Sequence, residues 1–188
     1  VSPMIAGGRT VKVLHPNAKT VFIGPCMAKK AEIKEPDLKG AIDYVLTYEE
    51  LRDLFTTTDI DLEHLEEDNV PHASRAGIRY AYAGGVAEAV AATVKRLDPN
   101  RKIEVKVRRA DSVPDCKAMI DSILKGNREG NFFEGMGCRG GCVGGPKALV
   151  PKEQGKLNVM AYSDESTYKT PAENPYAVSY THLTLPTT

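Results

Sequence analysis

What most constrains the fold of this chain is its alternation of strand-like and helix-like runs. Thr20 to Ile23 is a β-branched and aromatic run ending at Gly24-Pro25, as a buried strand does. Ala41 to Leu46 reads as a second strand. Thr47 to Glu50 follows as a capping box, with Leu51, Leu54 and Phe55 on one helical face. Thr58 to Arg79 is polar and irregular, with an acidic turn from Glu63 to Asp68. Gly84-Gly85 opens a helix to about Leu97, stopped by Asp98-Pro99-Asn100. Ile103 to Val107 alternates apolar and charged residues, as a half-exposed strand does. Ser112 to Asp115 caps a helix ending near Lys125-Gly126. Asn131 to Glu134 is a last short strand, and Pro151 to about Ser163 a final helix weakened by Gly155. Strands separated by helices predict an α/β fold with parallel-rich sheets flanked by helices.

Composition excludes several classes. Lys and Arg number 25, as do Asp and Glu, so no bulk positive charge attracts nucleic acid. No apolar run approaches the roughly 18 residues of a membrane span, and no signal peptide is visible. A cytoplasmic location is expected. Ser2 to Ile5 reads as the inside of a helix. Residues 179–188 continue no earlier pattern and are expected to be a non-native tail.

Two thiol segments carry the chemistry. Cys26 lies in Gly24-Pro25-Cys26-Met27-Ala28-Lys29-Lys30-Ala31-Glu32. Cys138 and Cys142 lie in a Gly-rich run from Gly135 to Gly145. Each segment follows a predicted strand, where open α/β sheets bind ligands. Glycine lets the backbone approach a bulky inorganic group. Thiolates ligate iron or zinc, and main-chain N–H groups can hydrogen-bond a cluster's sulfurs. Cys116 sits inside a predicted helix and reads as a packed thiol. Reduced thiols suit a chain of this length better than a disulfide framework. His15, His64, His72 and His182 share no ligand spacing, and Arg108-Arg109 reads as a solvated strand end.

Both segments resemble motifs of the [FeFe]-hydrogenase catalytic domain. Pro25, Cys26, Lys29 and Glu32 match one motif; Glu134, Met136, Cys138, Cys142, Gly144 and Gly145 match another. Gly84-Gly85-Val86 is similar to the family's helix-opening segment. The resemblance covers residues 1–176. It implies a partial, two-lobed hydrogenase-like fold and an H-cluster: a [4Fe-4S] cluster bridged to a diiron subcluster with CO and cyanide ligands. By resemblance Cys26, Cys138 and Cys142 ligate the [4Fe-4S] cluster, with Cys142 as the bridge. Lys29 donates to a cyanide, Met136 packs on the diiron unit and Glu32 lies on the proton path. The reaction implied is reversible reduction of protons to H2. Implied partners are ferredoxin or fused iron–sulfur domains, and a sensory output domain if the chain senses H2.

The chain departs from the pattern. The family's first cysteine motif, with the fourth cluster ligand, is absent and is expected before Val1, so the fragment alone is expected to be inactive. Gly24 stands where catalytic members have Met. Gly137 and Arg139 replace common residues, and the Gly run before Pro146-Lys147 is short. These changes resemble the family's divergent sensory branch. The alternative is a hydrogenase-related iron–sulfur carrier or assembly protein without a diiron unit. A zinc site would leave Lys29 and Glu32 unexplained.

Overall fold

The computed structural model describes residues 1–66 and 72–177. They form two units. The first holds residues 1–66 and Pro146–Leu149; the second holds residues 72–145 and 150–177.

In the first unit, α1 (Pro3–Leu14) begins at its N-cap Ser2, whose hydroxyl accepts from the Ile5 N–H at 3.4 Å. Pro3 at the first helical position suits that start, because it lacks the N–H that would go unpaired there. The helix therefore starts at Ser2-Pro3, where the sequence suggested its interior. β1 (Val21–Ile23) pairs in parallel with β2 (Tyr44–Leu46), Phe22 opposite Val45. Both strands are shorter than their apolar runs. α2 (Ala28–Glu32) lies between them, and α3 (Tyr48–Thr57) follows β2. The predicted capping box is present: Thr47 Oγ1 accepts from the Glu50 N–H, and Glu50 Oε2 accepts from the Thr47 N–H. The core consists of Met4, Ile5, Ala41, Ile42 and Val45, with Phe22, Ile33 and Leu38 against it.

In the second unit, α4 (Arg75–Ile78) and α5 (Gly85–Leu97) precede β3 (Val107–Asp111), α6 (Val113–Leu124), β4 (Phe132–Met136) and α7 (Lys152–Asp164). β3 and β4 pair in parallel, from Val107 opposite Phe132 to Asp111 opposite Met136. α6 packs on this pair, and α5 on β4. The predicted strand at Ile103–Val107 is displaced: only Val107 lies in β3. The cause is the Asn131 carboxamide, which accepts from the Lys106 N–H at 2.7 Å and donates to the Glu104 carbonyl at 2.8 Å. A side chain there takes the main-chain groups that a strand partner would otherwise bind. Arg108 and Arg109 are exposed, as expected, but lie within β3.

The region from Thr58 to Arg79 contains a short 3-10 turn at Leu62–His64 as well as α4. The end of the predicted acidic turn, the tail at 179–188 and His182 fall outside the described residues. Among the described residues no helix is long and apolar enough to cross a membrane.

Candidate thiol site

β1 delivers the chain into the first thiol segment. The Gly24 N–H continues the β1–β2 ladder to the Leu46 carbonyl at 3.0 Å. Gly24 and Pro25 are buried and Cys26 is half-buried. A side chain at Gly24 would meet the Phe22 ring, at 2.9 Å from its Cε1.

Residues Pro146–Leu149 close over the same turn. The Lys147 N–H donates to the Pro25 carbonyl at 3.1 Å, and Lys147 Nζ reaches Glu49 of α3 at 2.6 Å. Local pattern could not reveal that link, because 98 residues separate Lys147 from Glu49. Lys30 ties α2 to α3 through Glu50 at 2.5 Å. Lys29 and Glu32, both half-buried, pair with each other at 2.5 Å on one face of α2.

Burial alone raises the Glu32 carboxyl. The hydrogen bonds from Lys29 and Ser2 and the Lys29 charge outweigh it and hold the group below the ordinary glutamate range. Glu50 is lowered from 4.5 to about 2, first by the Lys30 hydrogen bond and then by the Thr47 main chain. Lys12 and the Thr20 N–H likewise hold Asp43 far below the usual carboxylate range.

These carboxylates favour the folded state only while ionised. Their contribution is full above the unfolded value and is lost as pH falls through the folded one. For Glu50 that window runs from 4.5 to about 2. Thermal melts of the protein should hold steady from neutral pH down to about 5 and then fall progressively toward about 2. Glu50→Gln should flatten part of that decline, and an unchanged acid limb in Glu50→Gln would contradict the assignment.

In the second unit, β4 runs straight into the other two thiols. Cys138 is half-buried and Cys142 exposed; Met136, half-buried, ends the strand. The five-residue turn from Cys138 to Cys142 is held at its midpoint. The Gly140 N–H donates to Asp111 Oδ2 at 2.9 Å, and the Gly140 carbonyl accepts from the Ala83 N–H at 2.9 Å. Gly141 follows at φ 87°, ψ −157°, a conformation essentially restricted to glycine. A Cβ there would lie 2.5 Å from Ala83 N and 2.7 Å from the Tyr82 carbonyl carbon.

The loop that receives this turn is fixed by Glu134, which is buried at 5% exposure. Its two carboxylate oxygens accept from the Gly84 N–H at 2.5 Å and the Ala87 N–H at 2.7 Å. α5 needs that acceptor because its N-cap, Gly84, has no side chain to offer. The sequence does hold a signal for this role: a helix opening on Gly-Gly requires a carboxylate or hydroxyl from elsewhere. Cys116 is packed as expected, its thiol directed at the Met136 carbonyl at 3.5 Å and the Ala110 carbonyl at 3.7 Å.

None of the four cysteines is in a disulfide. Cys138 and Cys142 share one turn of the second unit, while Cys26, Lys29 and Glu32 belong to the first. Among the described residues no group of three or more His, Cys, Asp or Glu side chains is gathered as a metal site. The fit to an iron–sulfur group therefore rests on donor type and on the turn. Two thiols flank a glycine midpoint with no Cβ to crowd an inorganic group.

Strand-end thiol turns in a parallel α/β fold define the class: a thiol-bearing α/β domain. Residues 1–146 match the family described as the iron-only hydrogenase large subunit, C-terminal domain, and the chain belongs to that family. It is 26% identical over 200 residues to iron hydrogenase 1 of Clostridium pasteurianum, covering 84% of this chain and 35% of that protein. It is 30% identical over 178 residues to the periplasmic [Fe] hydrogenase large subunit of Nitratidesulfovibrio vulgaris, covering 77% of this chain and 42% of that protein. In fold it resembles apo [FeFe]-hydrogenase HydA1 from Chlamydomonas reinhardtii, at a TM-score of 0.69 and 19% identity. That match covers 96% of this chain and 64% of the other. The chain thus spans less than half the length of these curated relatives. The α/β, hydrogenase-like fold expected from the sequence is the one observed.

Proposed function

We propose that the chain contributes part of a hydrogenase-type iron–sulfur site, serving reversible reduction of protons to H2 or the sensing of H2. The observation that carries this reading is the pair of cysteines, Cys138 and Cys142, neither in a disulfide, on a turn held at Gly140 directly after a parallel strand.

In this reading Cys138 and Cys142, with Cys26, would hold a [4Fe-4S] cluster, and Cys142 would also be a ligand for a diiron subcluster. When bound, the group supplies the redox chemistry, and the protein supplies position and proton delivery. Met136 offers a polarizable apolar contact beside the thiols. Lys29 offers the cation that an anionic cyanide ligand needs. Glu32 takes up and gives back protons.

The Lys29–Glu32 pair couples these last two roles. An ammonium turned toward an anionic ligand removes the Lys29 hydrogen bond and charge from Glu32, leaving the Ser2 hydrogen bond against burial, so the carboxyl shifts upward from its depressed value. Electrons come from ferredoxin or from fused iron–sulfur domains. In the sensing variant the readout passes to an output domain, and Gly24 in place of Met favours that variant. The alternative is an iron–sulfur carrier or assembly protein without a diiron unit, in which the Lys29–Glu32 pair only braces α2.

The test is to express the complete gene anaerobically with the maturation machinery and record infrared spectra in the CO and cyanide region. Bands are expected. They should vanish in Cys142→Ala and weaken in Lys29→Ala, whose iron–sulfur content should stay unchanged. Iron and sulfide without bands would establish the carrier reading; bands that persist in Cys142→Ala would remove the bridging role.

A further inference from the structure

We propose that Asp111 is a positioning residue for the thiols of Cys138 and Cys142, acting through the main chain of Gly140. The importance of those thiols rests on the iron–sulfur reading above, but the geometry of the turn does not.

Asp111 ends β3, directly opposite Met136 at the end of β4. From there its Oδ2 accepts the Gly140 N–H at 2.9 Å, at the centre of the Cys138–Cys142 turn. The other side of Gly140 is gripped by the Ala83 N–H on its carbonyl. Ala83 precedes Gly84, which Glu134 clamps to β4. Gly140 is thus held on both sides by groups anchored to the same parallel strand pair. Within the turn, the Gly141 N–H donates to the Cys138 carbonyl, the Gly144 N–H to the Gly141 carbonyl and the Gly145 N–H to the Cys142 carbonyl. Internal bonds shape the turn but do not orient it on the sheet. The two bonds at Gly140 tie the turn to the sheet, and the one to Asp111 is made by a side chain; the Cys142–Gly144 segment also packs on α7. A bond to an ionised acceptor is the stronger kind. With Asp111 intact, the main chain that carries both cysteines is fixed at its centre.

The experiment uses the complete gene product, first free of iron and then reconstituted anaerobically with ferrous iron and sulfide. In the iron-free protein, Asp111→Ala should raise amide exchange across 138–145 by about tenfold, the loss of one charge-assisted bond expressed as local opening. Exchange in α1 and α7 should not change. Asp111→Asn, which keeps an acceptor oxygen, should restore most of the protection. Ser74→Ala, which removes only the α4 cap, should leave 138–145 as in the parent. In the reconstituted protein, Asp111→Ala should shift the electron paramagnetic resonance g-values and reduction potential of the cluster, while Ser74→Ala should not.

Unchanged exchange in Asp111→Ala overturns the proposal. So does faster exchange with an unshifted cluster signature, or a rise shared by all segments. Should Asp111→Ala fail to fold, the same readings on Asp111→Asn and Asp111→Ser decide: Asn near the parent with Ser displaced supports the role, and both at the parent value overturns it. If no cluster forms on the parent while exchange responds as stated, the iron–sulfur reading fails and the positioning of the thiols stands.

Discussion

Gly141→Ala is expected to destabilise the second unit by about 4 kcal/mol, combining a strained backbone with overpacking. Two independent causes act together. At φ 87°, ψ −157°, a residue with a side chain pays for a conformation only glycine adopts freely. The added carbon would also sit 2.5 Å from Ala83 N and 2.8 Å from Tyr82 Cα. Those are main-chain atoms and cannot swing aside. They belong to the loop that holds the Gly140 carbonyl, so relief of the clash also loosens that bond. Gly137→Ala is the matched control, because a Cβ at that position would meet nothing within 4 Å and its φ is not positive. Equilibrium urea unfolding measures both. A loss in Gly141→Ala no larger than that in Gly137→Ala would show that the turn is not seated as described.

Glu134→Ala is expected to cost about 3 kcal/mol, since it strands two buried main-chain donors, and Glu134→Gln about 2 kcal/mol. Glutamine presents only one acceptor. Whichever way its amide faces, an NH2 group meets either the Gly84 or the Ala87 N–H. The loss should appear locally as well as globally, with amide exchange at Gly84 and Ala87 rising before that of the α5 interior. If Glu134→Gln matched the parent in denaturant midpoint and in exchange at those two amides, the carboxylate would not be the cap of α5.

Elements whose cause is local were legible in the sequence. The Thr47–Glu50 capping box needs only four residues, and both of its bonds are present. α5 begins at the Gly-Gly pair and ends at Asp98, as its sequence signals indicate. Cys116 is packed against main-chain carbonyls, as its place in a helix suggested. Where causes are distant, the sequence misled or was silent. Ile103–Val107 has a strand's alternation, yet Asn131 takes its ladder groups and β3 begins at Val107. Nothing around Lys147 announces the Pro25 carbonyl or Glu49. Glu134 stood out only as a motif position; its work as a cap needs β4 beside the start of α5. The placement of the thiol segments after β1 and β4 was legible because each follows a strand-like run. The Asp111 contact to Gly140 was not, because it spans 29 residues.

The Phe22 ring beside Gly24 ties two positions into one unit of change. A Met at position 24 and a Phe at position 22 compete for the same volume. Introducing a Met at position 24 is therefore not a single-site change here: the ring must turn away or shrink first. At this strand end the size of the side chain at position 24 and the placement of the ring at position 22 are one variable, so a substitution at either is read correctly only with the other in view.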